Sequence, residues 1–137
     1  DEAELLLMFA SRVELIKQKI QTSKSDYLLL DRFYDASVAY QGYGRKLSIS
    51  FIESLISFIN CPIPNLSILL DISVEEGFSR KTNDQIDRIE SSSKIFFQRI
   101  RKGYIKIAKD HKDRFIKINA SMDIEEIHNE IINHINL

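Results

Sequence analysis

The sequence predicts an α/β fold built on a parallel sheet with helices on both faces. Three observations lead there. Short apolar runs at residues 27–30, 66–70 and 115–118 have the length of buried strands. Each run is followed at once by a polar residue, Asp31, Asp71 or Asn119. Longer stretches with three- and four-residue apolar spacing separate the runs, and such alternation is satisfied by parallel strands joined through helices.

The elements follow in chain order. Residues 2–21 read as a helix, with Leu5, Met8, Phe9, Arg12, Val13 and Ile16 at helical steps. A polar break over residues 22–26 leads into the first strand, Tyr27-Leu28-Leu29-Leu30. Residues 36–41 start a helix that Gly42 and Gly44 are expected to end. A second amphipathic helix covers residues 48–59 and stops at Cys61-Pro62-Ile63-Pro64. The second strand is expected over residues 66–70, then a short helix over 74–80 and a polar loop over 81–85. A long helix is expected over residues 87–109, with Ile95, Phe96, Arg99, Ile100, Tyr104 and Ile107 along it. The third strand is residues 115–118, and Ser121-Met122-Asp123 caps a last helix running to Ile135. No repeat, low-complexity tract or linker interrupts the 137 residues, so a single domain is expected.

Composition narrows the function. Hydrophobic residues make up 44% and charged residues 28%, ordinary values for a globular chain. A net charge of −1 provides no global field for nucleic acid, so an anionic ligand needs locally placed Arg and Lys. No apolar run has the length of a membrane span. The single cysteine, Cys61, excludes an internal disulfide and fits a reducing cytoplasm and a buried structural thiol.

In parallel sheets, ligands gather at the carboxyl ends of the strands. Asp31-Arg32-Phe33 stands at one such end. A carboxylate there can orient Mg²⁺ or its water shell, and the Arg fork can grip a phosphate; an ordinary salt-bridging turn fits the pair as well. Ser37, Tyr40 and Gln41 share one helical face and suit a sugar and a base edge, or simply a polar face with a half-buried tyrosine. Arg80 and Lys81 precede Asp87-Arg88-Ile89-Glu90, a pattern that suits either a basic loop closing over phosphates or a solvated loop before a helix N-terminus. Met8 and Phe9 with Arg12 one turn later offer a platform and a cation for a base, or plain core packing.

In order and spacing these segments resemble the thymidylate kinase family over nearly the whole chain. Residues 5–15, Leu-Leu-Leu-Met-Phe-Ala-Ser-Arg-Val-Glu-Leu, are similar to the helix that lines the family's thymine pocket. Residues 31–42, from Asp31-Arg32-Phe33 to Ala39-Tyr40-Gln41-Gly42, are similar to its Asp-Arg-Tyr segment ending in Ala-Tyr-Gln-Gly. Leu69-Leu70-Asp71-Ile72 resembles the strand before the lid. Asp87-Arg88-Ile89-Glu90, with Phe96, Phe97, Arg99, Arg101 and Tyr104, resembles the lid exit and the helix beyond it.

The resemblance implies a three-layer P-loop kinase-like fold whose N-terminal strands are missing from this chain, with a lid over about residues 78–90. The implied activity is phosphoryl transfer from ATP to thymidine monophosphate, giving the diphosphate, in a cytoplasmic homodimer with Mg²⁺. Arg32 would bind the phosphate and Asp31 would sit near the metal. Arg12 would bond the thymine, with Met8 or Phe9 against the ring, Ser37 and Gln41 along the base, and Tyr40 near the deoxyribose. Arg80 and Arg88 would serve the lid in catalysis. Arg80, Lys81, Asn119 and Ala120 would lie on the ATP side.

Three departures stand out. Met8 occupies the place of the family's stacking phenylalanine. The lid is slightly short and carries fewer arginines than basic lids. No Gly-x-x-x-x-Gly-Lys-[Ser/Thr] loop occurs in the chain. The gene product is therefore expected to extend upstream of Asp1, and this chain alone is expected to be inactive. Two other readings remain at this point: a kinase for a different nucleoside or nucleotide, and a non-catalytic relic that binds nucleotide or only dimerises.

Overall fold

The structure is a computed structural model and describes residues 1–80 and 91–135. By its internal contacts the chain divides into two compact units, Asp1–Ile63 and Pro64–Leu137.

The first unit opens with helix α1, Glu2–Leu15, which continues through a π-helical segment, Ile16–Ile20. Leu5, Phe9, Arg12 and Ile16 form its buried stripe, so a charged residue stands in an otherwise apolar row. Helix α2, Tyr34–Ser37, also passes into a π-helical stretch, Val38–Gly44. It starts two residues before the expected 36, runs through Gly42 and ends at Gly44. The reason at Gly42 is proximity: a Cβ there would meet Ile49 Cγ1 at 3.2 Å and Ile52 Cδ1 at 3.5 Å. Glycine therefore lets helix α3, Ile49–Phe58, pack close. Ser48 caps α3 by accepting from the Phe51 N–H, and Asn60 ends the turn beyond it at φ 49°. Ile16, Phe33 and Tyr34 centre a core that Leu30, Ile56 and Cys61 complete.

The run at residues 27–30 is the one expected strand that does not appear. Its backbone is not paired with any other segment among the described residues, and Leu29 is 94% exposed. A strand is defined by its ladder, so an apolar extended run without a neighbour remains irregular.

In the second unit, strands β1, Ser67–Asp71, and β2, Phe115–Asn119, pair in parallel with Asp71 opposite Asn119. Parallel neighbours need a crossover, here supplied by α4, Val74–Ser79, and α5, Ser91–Asp110. Ser73 caps α4, and Asp123 with Glu126 forms a capping box on α6, Ile124–His134. The expectations for residues 81–90, including Lys81, Asp87 and Arg88, lie outside the described residues.

Candidate functional site

In the first unit the polar side chains singled out in the sequence converge on α1 and α2. Arg12 is only 8% exposed. Its Nη2 donates to Ser37 Oγ at 3.1 Å, and its guanidinium carbon lies 4.7 Å from the Phe9 ring centre and 5.6 Å from that of Phe33. Burial pulls the Arg12 guanidinium below its ordinary pKa, and only an ionised Cys61 would act the other way. Burial pushes that thiol up to about 11, which keeps it protonated. Arg12 Nη1 is buried without a hydrogen-bond partner.

Gln41, 4% exposed, matches it from α2's π-helical extension. Its Nε2 donates to Glu4 Oε1 at 2.7 Å, and its Oε1 is the other buried side-chain atom without a partner. Buried polar groups left unmade cost about 1–3 kcal/mol each. Such orphaned groups are rare in folded proteins, and an unfilled ligand position is one explanation for them. Met8, one turn before Arg12, is exposed, whereas Phe9 is packed in the core beneath the guanidinium.

Arg32 adds a second kind of feature. It holds φ at 60°, a left-handed conformation that costs a non-glycine residue about 1–3 kcal/mol. The residue is exposed, and its guanidinium stacks on Tyr40 at 4.3 Å from the ring centre. Asp31 beside it is exposed. Among the described residues no three His, Cys, Asp or Glu side chains are grouped to hold a metal. A lone carboxylate fits Mg²⁺, which binds through one or two carboxylates together with phosphate oxygens and water.

In the second unit three of the residues expected on the ATP side meet. Arg80 Nη1 donates to the Ala120 carbonyl at 2.9 Å, and Asn119 Oδ1 accepts from the Ser121 N–H at 3.0 Å. Glu76, which sequence reasoning passed over, ties them together. Its Oε1 accepts from Arg80 at 2.8 Å and its Oε2 from Ser121 Oγ at 2.7 Å. The four-residue spacing of Glu76 and Arg80 was the available signal. Of these, Glu76, Asn119 and Ser121 border an open concavity of about 610 Å³ at the carboxyl ends of β1 and β2, where Asp71, Ser73 and Arg101 also stand.

Asp71 is held by a bidentate Arg101 fork at 2.7 and 3.1 Å, with Lys117 at 3.7 Å. Arg101 holds the Asp71 carboxyl below the usual carboxylate range, and burial opposes the shift. A carboxylate with a depressed pKa stabilises the fold above its unfolded value, about 4, and loses that contribution as pH falls through the folded value. The Arg101 side chain is 41% exposed, so the pair is worth about 1 kcal/mol. Asp71→Asn should therefore lower stability by roughly that much at neutral pH and flatten the acid limb below about pH 4. Thermal unfolding midpoints across the acid range check both.

Comparison with known proteins identifies the family. The family profile described as Thymidylate kinase matches residues 1–131. A thymidylate kinase from Kosmotoga olearia is 38% identical over 135 residues, covering 96% of this chain and 65% of that protein. One from Chlorobaculum tepidum is 37% identical over 145 residues, covering 96% and 68%. A crystal structure of thymidylate kinase from Ehrlichia chaffeensis superposes with a TM-score of 0.76 at 28% identity, over 98% of this chain and 64% of the other. The chain thus spans about two thirds of the length of these relatives. Its order of elements, its parallel strand pair and its sequence all lead to one conclusion: the chain belongs to the thymidylate kinase family.

Proposed function

We propose that the protein transfers the γ-phosphoryl group of ATP to thymidine monophosphate, as part of one kinase domain working in a cytoplasmic homodimer. The observation that carries the reading is the buried, unpartnered pair Arg12 Nη1 and Gln41 Oε1. A thymine edge offers a C4 carbonyl to the first and an N3–H to the second. Ser37 steadies Arg12, and exposed Met8 lies against the ring face. The thioether is polarizable and flexible, so it contacts a ring without fixing its plane. Arg32, propped on Tyr40, takes the monophosphate in its fork. Asp31 would hold Mg²⁺, which would supply charge neutralisation on the phosphates. Arg80, at the base of the lid, and the Asn119-Ala120 loop belong to the ATP side, with Lys81 and Arg88 completing the lid. Most of the catalysis is positioning and charge neutralisation.

The test is ADP formation from ATP with each deoxynucleoside monophosphate in turn, followed in a coupled assay. The expected result is turnover that depends on thymidine monophosphate and Mg²⁺. Equal turnover with deoxycytidine monophosphate, or none with thymidine monophosphate, rejects the substrate assignment.

A further inference from the structure

Glu4 lies in the first turn of α1, where a carboxylate is ordinarily explained by the helix dipole. Its contact with Gln41 says more. A primary amide can turn over by 180°, exchanging its donor and acceptor ends at almost no steric cost. A carboxylate can only accept from it. The 2.7 Å bond from Gln41 Nε2 to Glu4 Oε1 therefore fixes the amide with its nitrogen toward Glu4. The carbonyl oxygen is then the end left buried and unpartnered. Arg12 arrives from the same helix, anchored to Ser37, one turn before Gln41. Were the amide reversed, the pocket would show two donors instead of a donor and an acceptor.

We propose that Glu4 is a positioning residue that sets base selectivity by locking the Gln41 amide. This rests on the reading of the pocket as a base site. A donor beside an acceptor recognises a carbonyl next to an N–H, the edge shared by thymine and uracil. Cytosine presents an amino group next to a bare ring nitrogen, so its donor meets the Arg12 donor and its acceptor meets the Gln41 acceptor. A buried site that mispairs in this way rejects a ligand strongly.

Glu4→Gln is the discriminating variant, because its own amide can pair with Gln41 in either orientation. Glu4→Leu removes the partner altogether. Calorimetric titrations of parent and variants with thymidine and deoxycytidine monophosphates give the selectivity ratio. The expected result is a fall of about tenfold in the thymine-to-cytosine ratio for both variants, with thermal midpoints close to the parent. Faster hydrogen exchange of the Gln41 side-chain NH₂ in Glu4→Leu accompanies it. A helix-dipole role would shift the midpoint and leave the ratio alone. An unchanged ratio in both variants, with the parent binding normally, overturns the assignment of Glu4. A parent that binds neither nucleotide overturns the pocket reading beneath it, and the inference with it.

Discussion

Replacing Arg12 with Met should erode base selectivity while leaving the fold about as stable as before. The guanidinium is buried with one N–H unpartnered, so in the free protein it carries a desolvation cost that an apolar side chain of similar length would not. Against that relief stand the bond to Ser37 Oγ and the contacts with the Phe9 and Phe33 rings, each worth about 0.5–1.5 kcal/mol. The two sides nearly cancel, and the expected change in folding stability is within about 1 kcal/mol of the parent. Binding has no such cancellation. Loss of a charged donor to the base carbonyl should weaken thymidine monophosphate by about 1.5–3 kcal/mol, roughly 10- to 150-fold, and narrow its advantage over deoxycytidine monophosphate. A large loss of stability with selectivity intact would make Arg12 a structural residue. Calorimetry for the ligands and thermal unfolding for the fold check the two halves separately.

Arg32→Gly should separate function from stability in the opposite direction. Glycine adopts φ near 60° without the penalty that arginine bears there, so relief of about 1 kcal/mol is expected. The lost stacking on Tyr40 at an exposed site returns about 0.5–1 kcal/mol of that. Stability should thus stay level or rise slightly. Thymidine monophosphate should bind about 10- to 150-fold more weakly, as expected for a lost charged hydrogen bond to phosphate, whereas thymidine without phosphate should be nearly unaffected. Equal losses for nucleotide and nucleoside would place Arg32 outside the phosphate site. A stabilised but disabled variant is the signature of strain kept for function.

Much of this architecture was readable from the residues alone. Apolar spacing located α1, α3, α5 and α6, and the Asp123 cap was visible as a polar break before an amphipathic run. β1 and β2 were legible because short β-rich runs ended in polar residues, and their parallel pairing followed from the helices between them. Residues 27–30 read as a strand for the same reason, but a strand also needs a neighbour, which no local pattern supplies. Gly42 misled because glycine usually ends a helix; here a long-range contact with Ile49 and Ile52 decides its role. In the candidate site, Arg12, Ser37, Gln41 and Arg32 were recognisable from residue type and helical spacing. The Arg32 backbone strain, the Glu4–Gln41 bond 37 positions apart and the bridging by Glu76 were not, because each depends on where separate segments meet.

If Arg12 and Gln41 together form the edge that reads the base, both side chains respond when the base binds. Nitrogen-15 NMR of the side chains observes both directly during titration with thymidine monophosphate. Saturable shifts of the Arg12 Nη–H and Gln41 Nε2–H signals with a common dissociation constant are expected, with much weaker responses to deoxycytidine monophosphate. Saturation of the protein by thymidine monophosphate with both side chains unmoved would contradict that assignment.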